Sequence, residues 1–271
     1  VMSLIEKIFN KKQKKFFLIS GPCVIENSEM NFEVASFLKE ITTKLGIDFI
    51  FKSSLDKANR SSSDSFRGLG YQKGLQILEK IKTELQLNIL TDVHEDSPID
   101  EIINVVDVIQ TPAFLCRQTN FILKVASCNK PINIKKGQFL SPYEMNNVVE
   151  KARAVGYDKI MVCERGNIFG YNNLVSDMRS LVILKETNCP VVFDATHSTQ
   201  LPGANKNSSG GERKYIIPLS KAAIAVGIDG IFIETHPNPD KALSDGPNSL
   251  ALDDMEHLLN KLVQIDDISK K

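Results

Sequence analysis

The sequence lacks net charge, long apolar runs and paired cysteines, and each absence excludes a class of protein. Lysine plus arginine and aspartate plus glutamate are equal at 33 each, so no overall charge attracts the chain to nucleic acid or to an anionic membrane. No apolar run approaches the roughly 20 residues that span a bilayer. The run "FFLI" at 16–19, after the N-terminal lysines, is too short for an export signal. We therefore expect a cytoplasmic protein with small-molecule partners and with neither nucleic acid nor membrane.

Cysteine is scarce, and two common catalytic motifs are missing. The cysteines are Cys23, Cys116, Cys128, Cys163 and Cys189. Their odd number and the absence of a CxxC pair argue against a disulfide framework and indicate a reducing compartment. No GxSxG nucleophile elbow is present, which excludes the usual arrangement of an α/β-hydrolase. No GxGxxG motif follows the first predicted strand, which argues against a dinucleotide-binding sheet.

Eight short β-branched or aromatic runs alternate with amphipathic helical patterns along the whole chain. The candidate strands are 16–22, 48–54, 88–93, 107–111, 131–135, 159–164, 190–195 and 230–235. Mostly apolar strands between amphipathic helices indicate a parallel sheet covered by helices. Eight such units in about 250 residues match a closed barrel. We predict an α/β protein, a single-domain (β/α)8 TIM barrel at 16–271 with a short N-terminal extension at 1–15. A doubly wound sheet is the alternative.

Cationic side chains gather at the predicted carboxyl ends of the strands, where barrels of this kind place their active sites. They are Lys52, Lys57, Arg60, Lys135 and Arg165. Each alone is more often a solvated loop residue. Together they would create a positive field suited to phosphates and a carboxylate, and the backbone and hydroxyl groups of 61–63 would complete a phosphate cradle. An aldolase that forms a Schiff base with one of these lysines stays open as an alternative.

Four candidate metal ligands also fall at strand ends. Cys23 follows the first strand, His197 the seventh and Glu234 ends the eighth, while Asp245 lies in the loop beyond. The first, seventh and eighth strands are neighbours in a closed barrel, so these side chains can meet. A thiolate, an imidazole and two carboxylates can hold a divalent transition metal with one position left open. No compact motif joins the four, and a packed thiol and a core histidine explain Cys23 and His197 equally well.

Several segments together resemble one enzyme family. These segments are "GPCVIE", "FKSSLDKANRSS", "NIKKGQF", "CERGNIFGYNNLVSDMRSL", "DATHSTQLPG" and "ETHPNPDKALSDGPN". In order, from about residue 16 to 265, they resemble the 3-deoxy-D-manno-octulosonate 8-phosphate synthases, which are (β/α)8 barrels. The resemblance implies condensation of phosphoenolpyruvate with D-arabinose 5-phosphate, with release of inorganic phosphate, in lipopolysaccharide biosynthesis.

Two alternatives remain beside that resemblance. The related 3-deoxy-D-arabino-heptulosonate 7-phosphate synthases use erythrose 4-phosphate and typically carry "KPRT" where this chain has Lys57-Ala58-Asn59-Arg60, which favours the five-carbon sugar. A non-catalytic sugar-phosphate-binding barrel is the second alternative. The complete sets of candidate ligands argue against it, because a catalytically inactive relative would be expected to have lost at least one.

The resemblance also implies a role for individual residues. Phosphoenolpyruvate binding falls to Lys52, Lys57, Gln110, Lys135 and Arg165, and arabinose 5-phosphate binding to Asn59, Arg60 and Ser61. Asp92 lines the same cavity, and the catalytic set is Lys57, Asn59, His197 and Asp245. Cys23, His197, Glu234 and Asp245 resemble the ligands of the metal-dependent branch, and the metal-free branch has asparagine at the position of Cys23. The ion would be zinc, iron or manganese, the assembly a homotetramer, and the loop 204–214 would close over the substrates.

Overall fold

Eight parallel strands close into a barrel in this computed structural model, which describes residues 2–58, 65–204 and 210–270. The barrel strands are β1 Phe17–Gly21, β2 Phe49–Lys52, β3 Asn88–Asp92, β4 Val108–Thr111, β5 Ile132–Lys135, β6 Ile160–Glu164, β9 Val191–Asp194 and β12 Gly230–His236. They are hydrogen-bonded in that order, and β12 pairs back onto β1, from Phe17 opposite Gly230 to Gly21 opposite Glu234. This closure confirms the predicted barrel and excludes the doubly wound sheet.

Helices surround the barrel, and several short strands lie in the loops between the barrel strands and helices. The helices are α1 Leu4–Phe9, α2 Ser28–Leu45, α3 Tyr71–Leu85, α4 Ile99–Val105, α5 Thr119–Ala126, α6 Met145–Arg153, α7 Arg179–Leu184, α8 Ile216–Ala225 and α9 Met255–Ser269. The short strands are β7 Asn167–Ile168 with β8 Leu174–Val175, β10 Gln200–Leu201 with β11 Gly210–Gly211, and β13 Leu250–Ala251 beside β12. Among the described helices, none is long and apolar enough to cross a bilayer.

The segment 2–15 packs against the barrel rather than away from it. Ser3 and Glu6 form a capping box that begins α1. Ile8 is fully buried in the apolar cluster that fills the barrel interior, beside residues such as Phe17 and Val108. Both of these residues begin their strands, so α1 covers the amino-terminal end of the barrel. With that end closed and the interior filled, the carboxyl ends of the strands form the accessible mouth.

Candidate active site

A cavity of about 420 Å³ opens at the carboxyl ends of the barrel strands. Eight predicted site residues line it, and they are Lys52, Lys57, Asp92, Gln110, Lys135, Arg165, His197 and Glu234, with Asp245 from the loop after β12 as a ninth. Cys23 lies directly behind Asp245. Asn59, Arg60 and Ser61 lie outside the described residues, as do residues 205–209 of the loop predicted to close over the substrates. The predicted site residues that the structure describes therefore meet in one place.

Close backbone approaches bring the elements of this site together. A Cβ at Gly21 would collide with the carbonyl oxygen of Lys52, so glycine lets the ends of β1 and β2 approach each other. The carbonyl oxygen of Cys23 then accepts a hydrogen bond from Lys52 Nζ at 2.8 Å. Asp245 adopts a left-handed φ of 50°, a conformation that aspartate tolerates better than most residues. The turn aims its carboxylate at Cys23.

Three potential metal ligands lie within 4.8 Å of one another, namely Cys23, Glu234 and Asp245. The Cys23 thiol donates to Asp245 Oδ2 at 3.1 Å. His197 Nε2 lies 3.7 Å from both Glu234 Oε2 and Asp245 Oδ2. Glu234 Oε2 is buried and accepts a hydrogen bond from none of the described residues. This unpaired oxygen and the set of sulfur, nitrogen and oxygen donors fit a divalent transition metal.

Charge in this cluster is balanced between buried acids and bases. Burial opposes ionisation of Glu234, but Lys52, His197 and Lys57 outweigh it and lower its pKa to about 2. Burial, reinforced by the charges of Asp245 and Glu234, raises the pKa of the Cys23 thiol well above its ordinary value. The carboxylates are therefore ionised and the thiol is protonated, so binding of a metal by Cys23 requires the thiol to lose its proton.

The cations around the cavity differ in how far their charge is already engaged. Lys52 Nζ lies 2.6 Å from Glu234 Oε1, and Lys135 Nζ lies 2.6 Å from Asp194 Oδ2. Lys57 Nζ is 4.0 Å from Glu234. Arg165 donates to Gln200 at 2.9 Å, while its buried Nη1 has no hydrogen-bond partner among the described residues. Arg165 and Lys57 therefore hold the charge most available to an anion in the cavity.

An aromatic ring forms the floor beneath these groups. The Lys135 ammonium lies 4.0 Å from the centroid of the Phe232 ring, and that of Lys52 lies at 5.6 Å. The His197 ring packs against the same side chain, with 5.9 Å between centroids. The negative face of an aromatic ring attracts cations at these distances. Phe232 thus helps to hold three polar side chains in place without contributing a polar atom.

Asn133 fixes the orientation of the Gln110 amide. The two residues are paired across β4 and β5, and Asn133 Nδ2 donates to Gln110 Oε1 at 2.9 Å. Both side chains are buried, but only Gln110 lines the cavity. Because Gln110 Oε1 already accepts this hydrogen bond, Gln110 presents its NH₂ group toward the cavity as a hydrogen-bond donor.

Asp92 and His94 line one side of the cavity, and His236 lies near the loop that carries Asp245. Asp92 accepts a hydrogen bond from the Ser54 hydroxyl and lies 3.7 Å from His94 Nε2. Burial raises the pKa of Asp92, but Lys57 and Lys52 outweigh it and hold the pKa well below its ordinary range. His236 lies 3.5 Å from Glu26, which also accepts the backbone N–H of Leu243. Glu26 thereby ties the loop that carries Asp245 to the segment that follows β1.

Sequence reasoning missed several residues that support the site. They are Asn133, Glu164, Asp194, Gln200 and Phe232. Two of these residues could have been recognised from the sequence. Asn133 is a polar residue two positions before Lys135 in an apolar strand, so both point to the same face. Asp194 is an acidic strand end three residues before His197. The others depend on neighbours from distant parts of the chain.

The fold and the cavity together define a class of protein, a (β/α)8 barrel whose mouth carries converging cations beside a cluster of potential metal ligands. The chain belongs to the DAHP synthetase I family, which it matches over residues 1–271. This match and the relatives that follow together confirm the predicted resemblance to the 3-deoxy-D-manno-octulosonate 8-phosphate synthases.

Three similar proteins carry the name 2-dehydro-3-deoxyphosphooctonate aldolase. The protein of Legionella pneumophila strain Corby is 64% identical over 258 residues, which cover 95% of this chain and 94% of that protein. That of Francisella tularensis subsp. novicida strain U112 is 62% identical over 257 residues, with 95% and 94% covered. That of Stenotrophomonas maltophilia strain K279a is 60% identical over 255 residues, with 94% and 92% covered.

Proposed function

We propose that this chain is the synthase that condenses phosphoenolpyruvate with D-arabinose 5-phosphate and water to give 3-deoxy-D-manno-octulosonate 8-phosphate and inorganic phosphate. The observation that carries the proposal is the meeting of anion-binding cations and a cysteine, histidine and carboxylate cluster in one cavity of about 420 Å³. The name shared by relatives that are 60–64% identical over nearly the whole chain supports it. The product would enter lipopolysaccharide biosynthesis.

Substrate binding falls to the cations and to Gln110. Arg165 and Lys57, with Lys52 and Lys135 behind them, would bind the phosphate and carboxylate of phosphoenolpyruvate, and the Gln110 NH₂ group would donate to the same anion. Asn59, Arg60 and Ser61 would bind arabinose 5-phosphate. These contacts offset the repulsion between two anionic substrates and hold their reacting carbons together. Such positioning contributes on the order of 7–11 kcal/mol to catalysis.

The reaction forms a carbon–carbon bond and a carbon–oxygen bond to water, and it breaks the carbon–oxygen bond to phosphate. C3 of phosphoenolpyruvate attacks the sugar aldehyde carbon, water adds at C2, and the resulting phosphorylated hemiketal loses phosphate by C–O cleavage. Burial lowers the pKa of Lys57, but surrounding acidic groups, Glu234 and Asp92 among them, outweigh it and hold the pKa well above its ordinary value. Lys57 is therefore a charged ammonium that can stabilise the developing alkoxide. A charged Lys57 also disfavours a Schiff base at this lysine, because that chemistry needs a neutral amine.

We further propose that Cys23, His197, Glu234 and Asp245 hold a divalent zinc, iron or manganese ion. When bound, such an ion would polarise the aldehyde oxygen or orient the attacking water. Within the set, His197 and Asp245 act chiefly as ligands, and Asp245 Oδ2 accepts a hydrogen bond from the Cys23 thiol.

The proposed assembly is a homotetramer in the cytoplasm. Phe139, Ile168 and Phe169 are exposed apolar residues on or beside the β7–β8 hairpin, and the backbone N–H of Ile168 donates to Gln138, which brings the three together. A second copy of the chain would cover them.

Sedimentation equilibrium is expected to give four times the 30.2 kDa chain mass. A monomer at micromolar concentration would contradict the proposed homotetramer.

Product analysis tests the proposed reaction. The protein with added divalent metal is incubated with phosphoenolpyruvate and either arabinose 5-phosphate or erythrose 4-phosphate, in water enriched in oxygen-18. We expect an eight-carbon product from the five-carbon sugar, little turnover of the four-carbon sugar, and released phosphate free of the label because the C–O bond breaks. A seven-carbon product would establish the heptulosonate alternative, and labelled phosphate would contradict C–O cleavage.

Replacing Asn133 with aspartate is expected to raise the KM for phosphoenolpyruvate by about 10-fold or more. The introduced carboxylate would accept from the Gln110 NH₂ group, so that the Gln110 oxygen turns toward the anion. A hydrogen bond to a charged group is worth about 1.5–3 kcal/mol. Steady-state kinetics of Asn133→Asp, Gln110→Ala and the double variant check this. Both single variants remove the same hydrogen-bond donor, so the KM of the double variant should be no higher than that of either single variant. A normal KM in Asn133→Asp beside a raised KM in Gln110→Ala would contradict the assignment.

A further inference from the structure

Asp194 lies at the end of β9, fully buried between two groups of the site. Its Oδ2 accepts from Lys135 Nζ at 2.6 Å and from His197 Nδ1 at 2.8 Å. Its Oδ1 accepts the backbone N–H of His197 at 2.8 Å and both the N–H and the hydroxyl of Thr196. The carboxylate is beneath the cavity lining, so it acts through its neighbours rather than by touching a substrate.

The contact with His197 determines which ring nitrogen faces the metal ligands. Because Nδ1 donates its proton to Asp194, Nε2 is the ring nitrogen that faces Glu234 and Asp245, 3.7 Å from each. Nε2 offers a lone pair to a metal once the ring has lost its second proton. Histidines that bind metals commonly donate their other N–H to a carboxylate, which fixes the ring and strengthens the ligand. Asp194 is placed to do this for His197.

The same oxygen also holds Lys135. The ammonium of Lys135 lines the cavity and lies between Asp194 and the space that an anion would occupy. An anion bound in the cavity attracts this ammonium and weakens its ion pair with Asp194. The hydrogen bond between Asp194 and His197 then strengthens, because Oδ2 no longer shares its negative charge equally between two donors.

We propose, on the basis of the function given above, that Asp194 is a positioning residue that couples metal binding to phosphoenolpyruvate binding. Phosphoenolpyruvate at Lys135 raises the affinity of the His197 site for metal, and metal raises the affinity for phosphoenolpyruvate by the same factor, since linkage is reciprocal. Couplings of this kind typically amount to about 5–150-fold. Direct attraction between the anion and the metal also contributes to this coupling and does not depend on Asp194. Variants must therefore separate the direct contribution from the one that acts through Asp194.

The test measures binding of Co²⁺ with and without saturating phosphoenolpyruvate, in the absence of sugar. Absorption from Co²⁺–thiolate charge transfer reports ligation by Cys23, so the readout does not depend on turnover. In the wild type we expect phosphoenolpyruvate to lower the Kd of Co²⁺ by about 10-fold or more. Asp194→Asn is expected to weaken Co²⁺ binding by about 10–100-fold and to reduce the effect of phosphoenolpyruvate at least about threefold.

A matched pair of variants tests the path through Lys135, which lies 2.6 Å from Asp194 Oδ2 and 3.2 Å from His197 Nδ1, even where Asp194→Asn does not fold. Lys135→Gln and Arg165→Gln each remove one positive charge from the cavity, but only Lys135 contacts Asp194, while Arg165 donates to Gln200. We expect Lys135→Gln to lose most of the coupling, and Arg165→Gln to weaken phosphoenolpyruvate binding with its coupling factor kept.

The outcomes separate this inference from the proposed function. Phosphoenolpyruvate binding with equal coupling factors in the wild type, Lys135→Gln and Arg165→Gln would overturn the role of Asp194 alone. A wild-type protein that binds Co²⁺ but not phosphoenolpyruvate would overturn the proposed function, and the inference with it.

Discussion

Replacing Cys23 with alanine is expected to lower kcat/KM by about 10²–10³-fold, the loss that follows removal of one preorganised electrostatic group. The thiol lies 3.1 Å from Asp245 Oδ2 in the cluster with Glu234, so alanine removes a ligand and leaves a gap. Metal analysis should show less bound ion in the same preparation. Phosphate release, measured with both substrates and added divalent metal, gives the rate.

Cys23→Asn is the matched variant, and it should keep measurable turnover that a chelator does not reduce. The metal-free branch described by the sequence resemblance has asparagine at this position, and an amide can contact Asp245 in place of the thiol. Cys128→Ala serves as a control, because Cys128 lies near the surface away from the cavity. A wild-type rate and metal content in Cys23→Ala would make Cys23 a packing residue. Complete loss of turnover in Cys23→Asn, with both substrates still bound, would show that the metal is obligatory.

Replacing Lys136 with methionine is expected to destabilise the protein by about 3–5 kcal/mol, the cost of leaving a buried charge without its partner. Lys136 is fully buried, and burial lowers its pKa below the ordinary value. Its ammonium lies 3.4 Å from Glu164 and donates to Asn167 at 2.9 Å and to the Leu140 carbonyl at 3.2 Å. Thermal unfolding should show a Tm lower by roughly 10 °C.

The double variant separates the ion pair from general damage. Lys136→Met with Glu164→Gln removes both charges and should cost less than the sum of the single changes. Lys73→Met on α3 is an exposed control that should change stability by less than about 0.5 kcal/mol. Glu164 also accepts the backbone N–H groups of Arg165 and Gly166, so Lys136→Met should raise the KM for phosphoenolpyruvate as well. Full additivity of the two single changes would contradict the ion-pair explanation.

The barrel could be predicted from the sequence because each strand is a short apolar run that ends at polar residues. Closure then follows from the number of units, and closure alone brings Cys23 near Glu234 across more than 200 residues. The positions of these side chains depend on strand order, which the alternation of strands and helices indicates. The ligand roles needed the resemblance, since no local spacing links the four residues.

The supporting residues could not be predicted in the same way. In "KK" at 135–136, Lys135 faces the cavity and Lys136 is buried beneath neighbouring loops. Extended backbone turns neighbouring side chains to opposite sides, but this alternation does not indicate which of the two lysines faces the cavity. The double role of Asp194 depends on the side chains of β5 and of the segment after β9 meeting on one oxygen. The placement of α1 against the barrel interior depends on tertiary packing, which its own six residues do not encode.

Phosphate release from phosphoenolpyruvate and arabinose 5-phosphate, before and after treatment with a chelator, tests whether this barrel is a metal-dependent synthase. We expect the protein to release phosphate only when both substrates are present. Removal of bound metal should strongly reduce the rate, and a divalent zinc, iron or manganese ion should restore it. A protein that binds both substrates but releases no phosphate with any of these ions would contradict the claim that this barrel is a working synthase.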